Sequence, residues 1–142
     1  MEIEMLRKQG RSFVAIMILI AISALTIRIA IERIIEFSIM QNESSASRTL
    51  KLISVGLENF ARENKGAYPV NFTLLTQSEP AYLDTNYIAI SPYKGYIYNC
   101  PKLEQAGYIC TAVPVNCRLT GKTEYTISTG SLFFSEDCAK KE

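Results

Sequence analysis

The sequence predicts an α+β fold: a long N-terminal helix, with a membrane half and an amphipathic half, packed on a small antiparallel β-sheet. Three observations carry that prediction. The apolar residues crowd into the first 40 positions, where Phe13 to Ile31 forms an almost unbroken greasy run. Next, Ala46, Leu50, Ile53, Leu57 and Phe60 recur at four-three spacing, the signature of one buried helix face. Beyond Gly66 the chain turns to Tyr, Thr, Pro and Gly, and all 4 cysteines fall in this last part. With 142 residues, the chain holds one modest core.

Charge and composition exclude several classes of function. Lys and Arg number 15 against 14 Asp and Glu, a formal charge of +1, so nothing draws the chain globally to nucleic acid. Histidine is absent, which removes the commonest general base and zinc ligand. Glu136 and Asp137 are the nearest approach to paired carboxylates, and as neighbours beside the charged tail AKKE they read as solvated groups. No catalytic residue, metal site or cofactor is expected.

The first element, Phe13 to Ile31, is about 19 residues long with Arg28 as its only charge. A bilayer-spanning helix needs ~17–25 such residues, and Arg28 lies near enough to one end to snorkel. Arg7, Lys8 and Arg11 precede the run, whereas Arg28 and Arg33 after it are offset by Glu32 and Glu36. This bias predicts a cytoplasmic N-terminus and an exported C-terminal part. A cleaved signal with Ile22 to Ala24 as its cut site is the rival reading. Against it, apolar residues continue through Ile27, Ile31, Ile35, Phe37 and Ile39, as in one helix leaving the membrane.

The second half of the helix buries the Ala46 to Phe60 stripe and leaves Arg48, Lys51, Glu58, Arg62 and Glu63 to water. No proline precedes Pro69, and Gly56 is the only glycine between Arg11 and Asn64, so nothing obliges a break. The weakest joint is Asn42 to Ser47, whose side chains compete for backbone hydrogen bonds, and a bend or unwinding is expected there. Gly66 then supplies a left-handed cap.

In the C-terminal part, Asn71 is expected to cap a helical turn through Leu75. Strands follow at about Gly95–Cys100, Tyr108–Val113, Glu124–Ser128 and Ser131–Ser135 in a meander, the last two joined by a tight Thr129-Gly130 turn. Cys100, Cys110, Cys117 and Cys138 read as disulfides of an exported domain, since zinc spacing and histidine are both missing. Of three possible pairings, Cys100 with Cys110 across a hairpin and Cys117 with Cys138 at the tail is preferred.

These residues resemble the type IV pilin and type II secretion pseudopilin superfamily. LRKQG/RSFVAIMILIAISAL is similar to its leader: a basic segment, Gly10 before the cut, then an apolar helix. ASRTLKLISVGLENFARENKGAYPVNFTLL resembles the amphipathic half and its exit, and SPYKGYIY resembles a segment of the sheet domain. The resemblance implies a leader at 1–10 removed between Gly10 and Arg11 by a prepilin peptidase, then N-methylation. It further implies a membrane and assembly half at 11–31, with Phe13, Val14, Ala15, Ile16, Ile20 and Leu25 on the packing helix, an amphipathic half at 32–64, and a disulfide-stapled β domain at 65–142. Two positions depart from the pattern: Arg11 replaces the usual apolar residue after the cut, and Ala15 replaces the usual glutamate. The proline found midway in many family helices is also missing.

The function expected on this basis is a structural subunit of a periplasmic or surface filament. Its partners are the bacterial inner membrane, homologous subunits, the peptidase and, indirectly, an assembly platform and ATPase; nucleic acid is not among them. The alternative is a single-pass, membrane-tethered extracytoplasmic binding module with the 8 tyrosines as its contact surface, although tyrosines in a small sheet are more often packing pairs.

Overall fold

A computed structural model describes the backbone of residues 2–140 and the side chains of residues 13–139. The element order is α1 (Glu2–Glu63), α2 (Thr73–Gln77), β1 (Tyr96–Glu104), β2 (Gly107–Pro114), β3 (Thr123–Ser128), β4 (Leu132–Asp137) and a short 3-10 turn, η1 (Cys138–Lys140). The class is α+β, as expected, and the four strands form one antiparallel sheet in the order β1-β2-β3-β4. The chain divides into two compact units, Met1–Phe37 and Ser38–Glu142.

From Phe13 to Ile27 α1 is clothed in largely apolar side chains on every side. Phe13, Val14, Ile16, Ile20 and Leu25 are all exposed, between 52% and 64%. Ala15 is exposed with them. By length and composition this is the one helix among the described residues that is able to cross a membrane. Charges return in ion pairs on the helix surface, Arg28 with Glu32 and Arg33 with Glu36, each at 3.5 Å.

In the second unit the helix becomes one-sided. Ala46, Leu50, Ile53 and Leu57 are fully buried and Phe60 packs on the same core, so the stripe read from spacing is the face that meets the sheet. Asn42 to Ser47 does not unwind; it is helical throughout. Opposite the stripe stand Tyr96, Tyr98, Tyr108, Cys110, Ala112 and Ile127, alternate inward positions of the strands. The pairs Tyr98 with Ala112 and Cys110 with Ile127 set the register.

Several boundaries differ from expectation, each for a local reason. The helix ends in a Schellman arrangement in which Gly66 N–H donates to Ala61 O at 2.8 Å. Lys65 at φ 58° is the first left-handed residue, with Gly66 at φ 87° behind it. Before α2, Asn71 Oδ1 accepts the Thr73 N–H at 3.0 Å, while Phe72 occupies the N-cap position. Strand β1 runs past Cys100 to Glu104 because a bulge between Asn99 and Lys102 absorbs Pro101, which has no N–H to give the ladder. The β3–β4 connection holds three residues, Thr129 to Ser131, since Ser128 pairs with Leu132 and both Gly130 and Ser131 take positive φ.

Gly56 has a tertiary reason to be glycine. A Cβ there would lie 3.2 Å from the Tyr82 carbonyl oxygen and 3.3 Å from Leu83 Cδ1, where the segment after α2 crosses the helix. That crossing is tied down by the Tyr82 and Leu83 N–H groups, which both donate to Leu75 O.

Candidate functional site

The polar and apolar features of interest lie along the surfaces and anchors of α1. Three stations along the helix differ in what they offer.

The first is the apolar segment from Phe13 to Ile27, where the side chains present mainly hydrocarbon in every direction. Such a surface is satisfied by lipid or by other apolar helices and not by water. Gly10 and Arg11, the expected processing pair, lie outside the residues whose side chains are described.

The second station is at Asn42 and Glu43. Asn42 Nδ2 donates to the Thr120 carbonyl at 3.0 Å, and Glu43 Oε1 accepts the Lys122 backbone N–H at 2.8 Å. The polar residues that read as a weak joint are thus spent on the loop before β3. Gly95, at φ 76°, lets the backbone come close: a Cβ there would sit 2.8 Å from Asn42 Nδ2. Beneath the loop, the Tyr96 hydroxyl donates to Thr123 O at 2.8 Å.

The third station is Glu58, expected in water but found half buried. Its Oε1 accepts the Tyr108 hydroxyl at 3.0 Å and the Gly130 N–H at 2.8 Å, and its Oε2 accepts the Tyr68 hydroxyl at 3.0 Å. Beside it Ser54 shares hydrogen bonds with Tyr108 and with Ser131, both at 2.8 Å. Tyr68 and Tyr108 also meet edge-on, with ring centroids 5.2 Å apart. A shallow groove of about 320 Å³ lies alongside, lined by Val55, Glu58, Asn59, Arg62, Gly130 and Ser131. Glu63, likewise expected in water, accepts the Tyr82 hydroxyl.

The tyrosines are the body of the core, packing pairs rather than a contact surface. None of the 8 is exposed, and Tyr96, Tyr98 and Tyr108 are at most 2% accessible. Burial pushes the Tyr108 hydroxyl up to about 12; Ser54 opposes the shift and Glu58 adds to it. Burial likewise raises Tyr96, Tyr98 and Tyr125. These groups stay neutral over any ordinary pH, so the core carries no titrating chemistry.

Both cysteine pairs lie at bonding distance, Cys100 with Cys110 at 1.91 Å and Cys117 with Cys138 at 1.89 Å. The first staples the bulge of β1 to β2, and the second ties the loop before β3 to the end of β4. Glu136 and Asp137 lie exposed on β4, and Asp137 Oδ1 accepts the Ala139 N–H at 2.9 Å.

The structure therefore brings Ala46, Leu50, Ile53, Leu57 and Phe60 into one core, and places the apolar helix residues together on an exposed surface. Sequence reasoning missed Asn42, Glu43, Ser54 and Glu58 as structural anchors. For Ser54 a signal existed, since a serine four positions from Leu50 and three from Leu57 sits at the margin of the stripe. Comparison with protein-family models, with curated proteins and with solved structures returns no match to this chain.

Proposed function

We propose that the chain is a structural subunit of a periplasmic or surface filament of the type II secretion or type IV pilus kind. It is held in the inner membrane by its apolar helix, with the N-terminus cytoplasmic and the C-terminal domain periplasmic, until an assembly platform and ATPase extract it. The work is mechanical, without catalysis or a cofactor. One observation carries the reading: a single helix that is apolar on all sides from Phe13 to Ile27 continues, within the same element, as the core helix of a small disulfide-bonded sheet. A wholly apolar helix passes between lipid and a bundle of like helices at little net cost, because packing rather than dehydration decides between them.

The resemblance of residues 6–25 to a prepilin leader and its following helix supports the same reading, with cleavage after Gly10 by a prepilin peptidase and methylation of Arg11. Arg11 and Ala15 shape it further. A subunit without the usual glutamate has no carboxylate to meet a neighbour's terminal amine, which costs several kcal/mol in a low-dielectric bundle. This favours a minor or terminal place in the filament over a repeated one. The same two departures favour the second reading, a membrane-tethered binding module that never polymerises.

Intact mass of the protein recovered from its native host separates the two. Loss of Met1 to Gly10, gain of one methyl group and oxidation of all four cysteines supports the filament subunit. An unprocessed chain that stays monomeric in the membrane rejects it in favour of the tether.

A further inference from the structure

Asn42, Ser44, Ser45 and Ser47 are weak helix formers whose side chains offer the backbone alternative partners, yet α1 runs through them without interruption. Besides Ala46, which is buried in the core, part of the support for this stretch comes from residues nearly eighty positions away. Asn42 and Glu43 hold Thr120 O and Lys122 N–H from the helix side. The loop they hold is internally closed: Arg118 N–H donates to Gly121 O at 2.7 Å, and the Thr120 hydroxyl accepts Asn116 N–H at 3.0 Å. Its exit is tied to the tail by Cys138 N–H donating to Lys122 O at 2.9 Å and by the Cys117–Cys138 bond. There is no slack at Gly121, where a Cβ would overlap the Tyr96 hydroxyl.

We propose that this arrangement is a redox-gated clamp. Closing Cys117–Cys138 orders the loop from Asn116 to Lys122, and the ordered loop keeps Asn42 to Ser47 helical. The helix thus becomes continuous across this stretch only after the domain has been oxidised. In the closing step the two thiols lose two electrons and two protons to a disulfide-bearing exchange partner, which leaves as a dithiol. In the reduced chain the loop loses its covalent closure, Asn42 and Glu43 lose their ordered partners, and the stretch opens locally. The Cys100–Cys110 bond lies between β1 and β2, away from this loop, and takes no part. The clamp rests on the exported, oxidised setting of the proposed function, where it would withhold subunits with a loose helix from assembly.

Hydrogen exchange of the full chain in detergent micelles tests it, comparing Cys117→Ser/Cys138→Ser with Cys100→Ser/Cys110→Ser. Amides 42–47 are expected to exchange about tenfold faster or more in the first variant and unchanged in the second. Asn42→Ala, with every cysteine intact, is expected to speed amides 118–122 as well, because the coupling is reciprocal. A Cys117→Ser/Cys138→Ser chain that keeps wild-type protection at both 108–113 and 42–47 overturns the clamp. Should that variant lose the sheet, unchanged protection at 118–122 in Asn42→Ala overturns it. Because these measurements use the isolated chain, a failed clamp leaves the filament reading standing, whereas the mass measurement in the native host can reject that reading by itself.

Discussion

Tyr108 shows how one hydroxyl serves two neighbours without orphaning either. Tyr108→Phe leaves Ser54 bonded to Ser131, and Glu58 bonded to Tyr68 and Gly130. The expected loss is therefore only about 1 kcal/mol at neutral pH, read from a denaturant midpoint. Alkali should tell the two proteins apart. The folded-state value of about 12 lies above the ordinary 10.0, so ionisation of Tyr108 in the unfolded chain leaves the wild type unaffected below pH 10 and destabilises it as pH rises from there toward 12. Across that window the wild type should lose on the order of 2 kcal/mol more than Tyr108→Phe. Gly56 makes a second residue-scale test, since helix propensity alone says that alanine gains about 1 kcal/mol. Tyr82 O is backbone, held by the Leu75 hydrogen bonds, and has little room to retreat from a new methyl group at 3.2 Å. Gly56→Ala should consequently destabilise by roughly 1 kcal/mol, measured as a lowered midpoint with unchanged slope.

At the scale of the element, α1 carries two leucines two positions apart with opposite duties. Leu50 is fully buried in the core, and Leu52 is 51% exposed on the far face. Leu50→Ala should cost about 3 kcal/mol through lost burial and a residual cavity, whereas Leu52→Ala should cost under about 1 kcal/mol. Equal losses in chemical unfolding would mean that the stripe does not define the packed face. The sheet follows the same logic in period two: β2 buries Tyr108, Cys110 and Ala112 and turns Ile109 outward. Its hairpins were harder to place from sequence. The bulge at Cys100–Pro101 lengthened β1, and Ser131, whose left-handed backbone is joined to a hydroxyl bond with Ser54, moved the start of β4 by one residue.

For the whole molecule, the exposed apolar segment is long and apolar enough to cross a membrane. A charge near the middle of the run, as in Ile20→Lys, should oppose membrane insertion by about 3 kcal/mol relative to wild type. An expression test that scores insertion of the full chain by resistance to alkaline carbonate extraction checks this. Unchanged insertion would remove the membrane from the account. In the C-terminal unit, stability is shared among the helix stripe, the tyrosine core and two cross-links, as suits a domain too small for a generous interior.

The apolar run, the Ala46 to Phe60 stripe and the meander were legible in the sequence, which preferred the observed cysteine pairing among three without deciding it. Each is a local pattern, repeated at the period of one helix or strand or set by the spacing along a hairpin. What only the tertiary structure decided is the fate of the polar residues on α1. Asn42 and Glu43 reach a loop nearly eighty positions away, and Glu58 gathers Tyr68, Tyr108 and Gly130 from three separate segments. Hydrophobic burial is nearly directionless and follows from periodicity, whereas a hydrogen bond needs a particular partner at a particular angle, and that partner exists only once the chain has folded back upon itself.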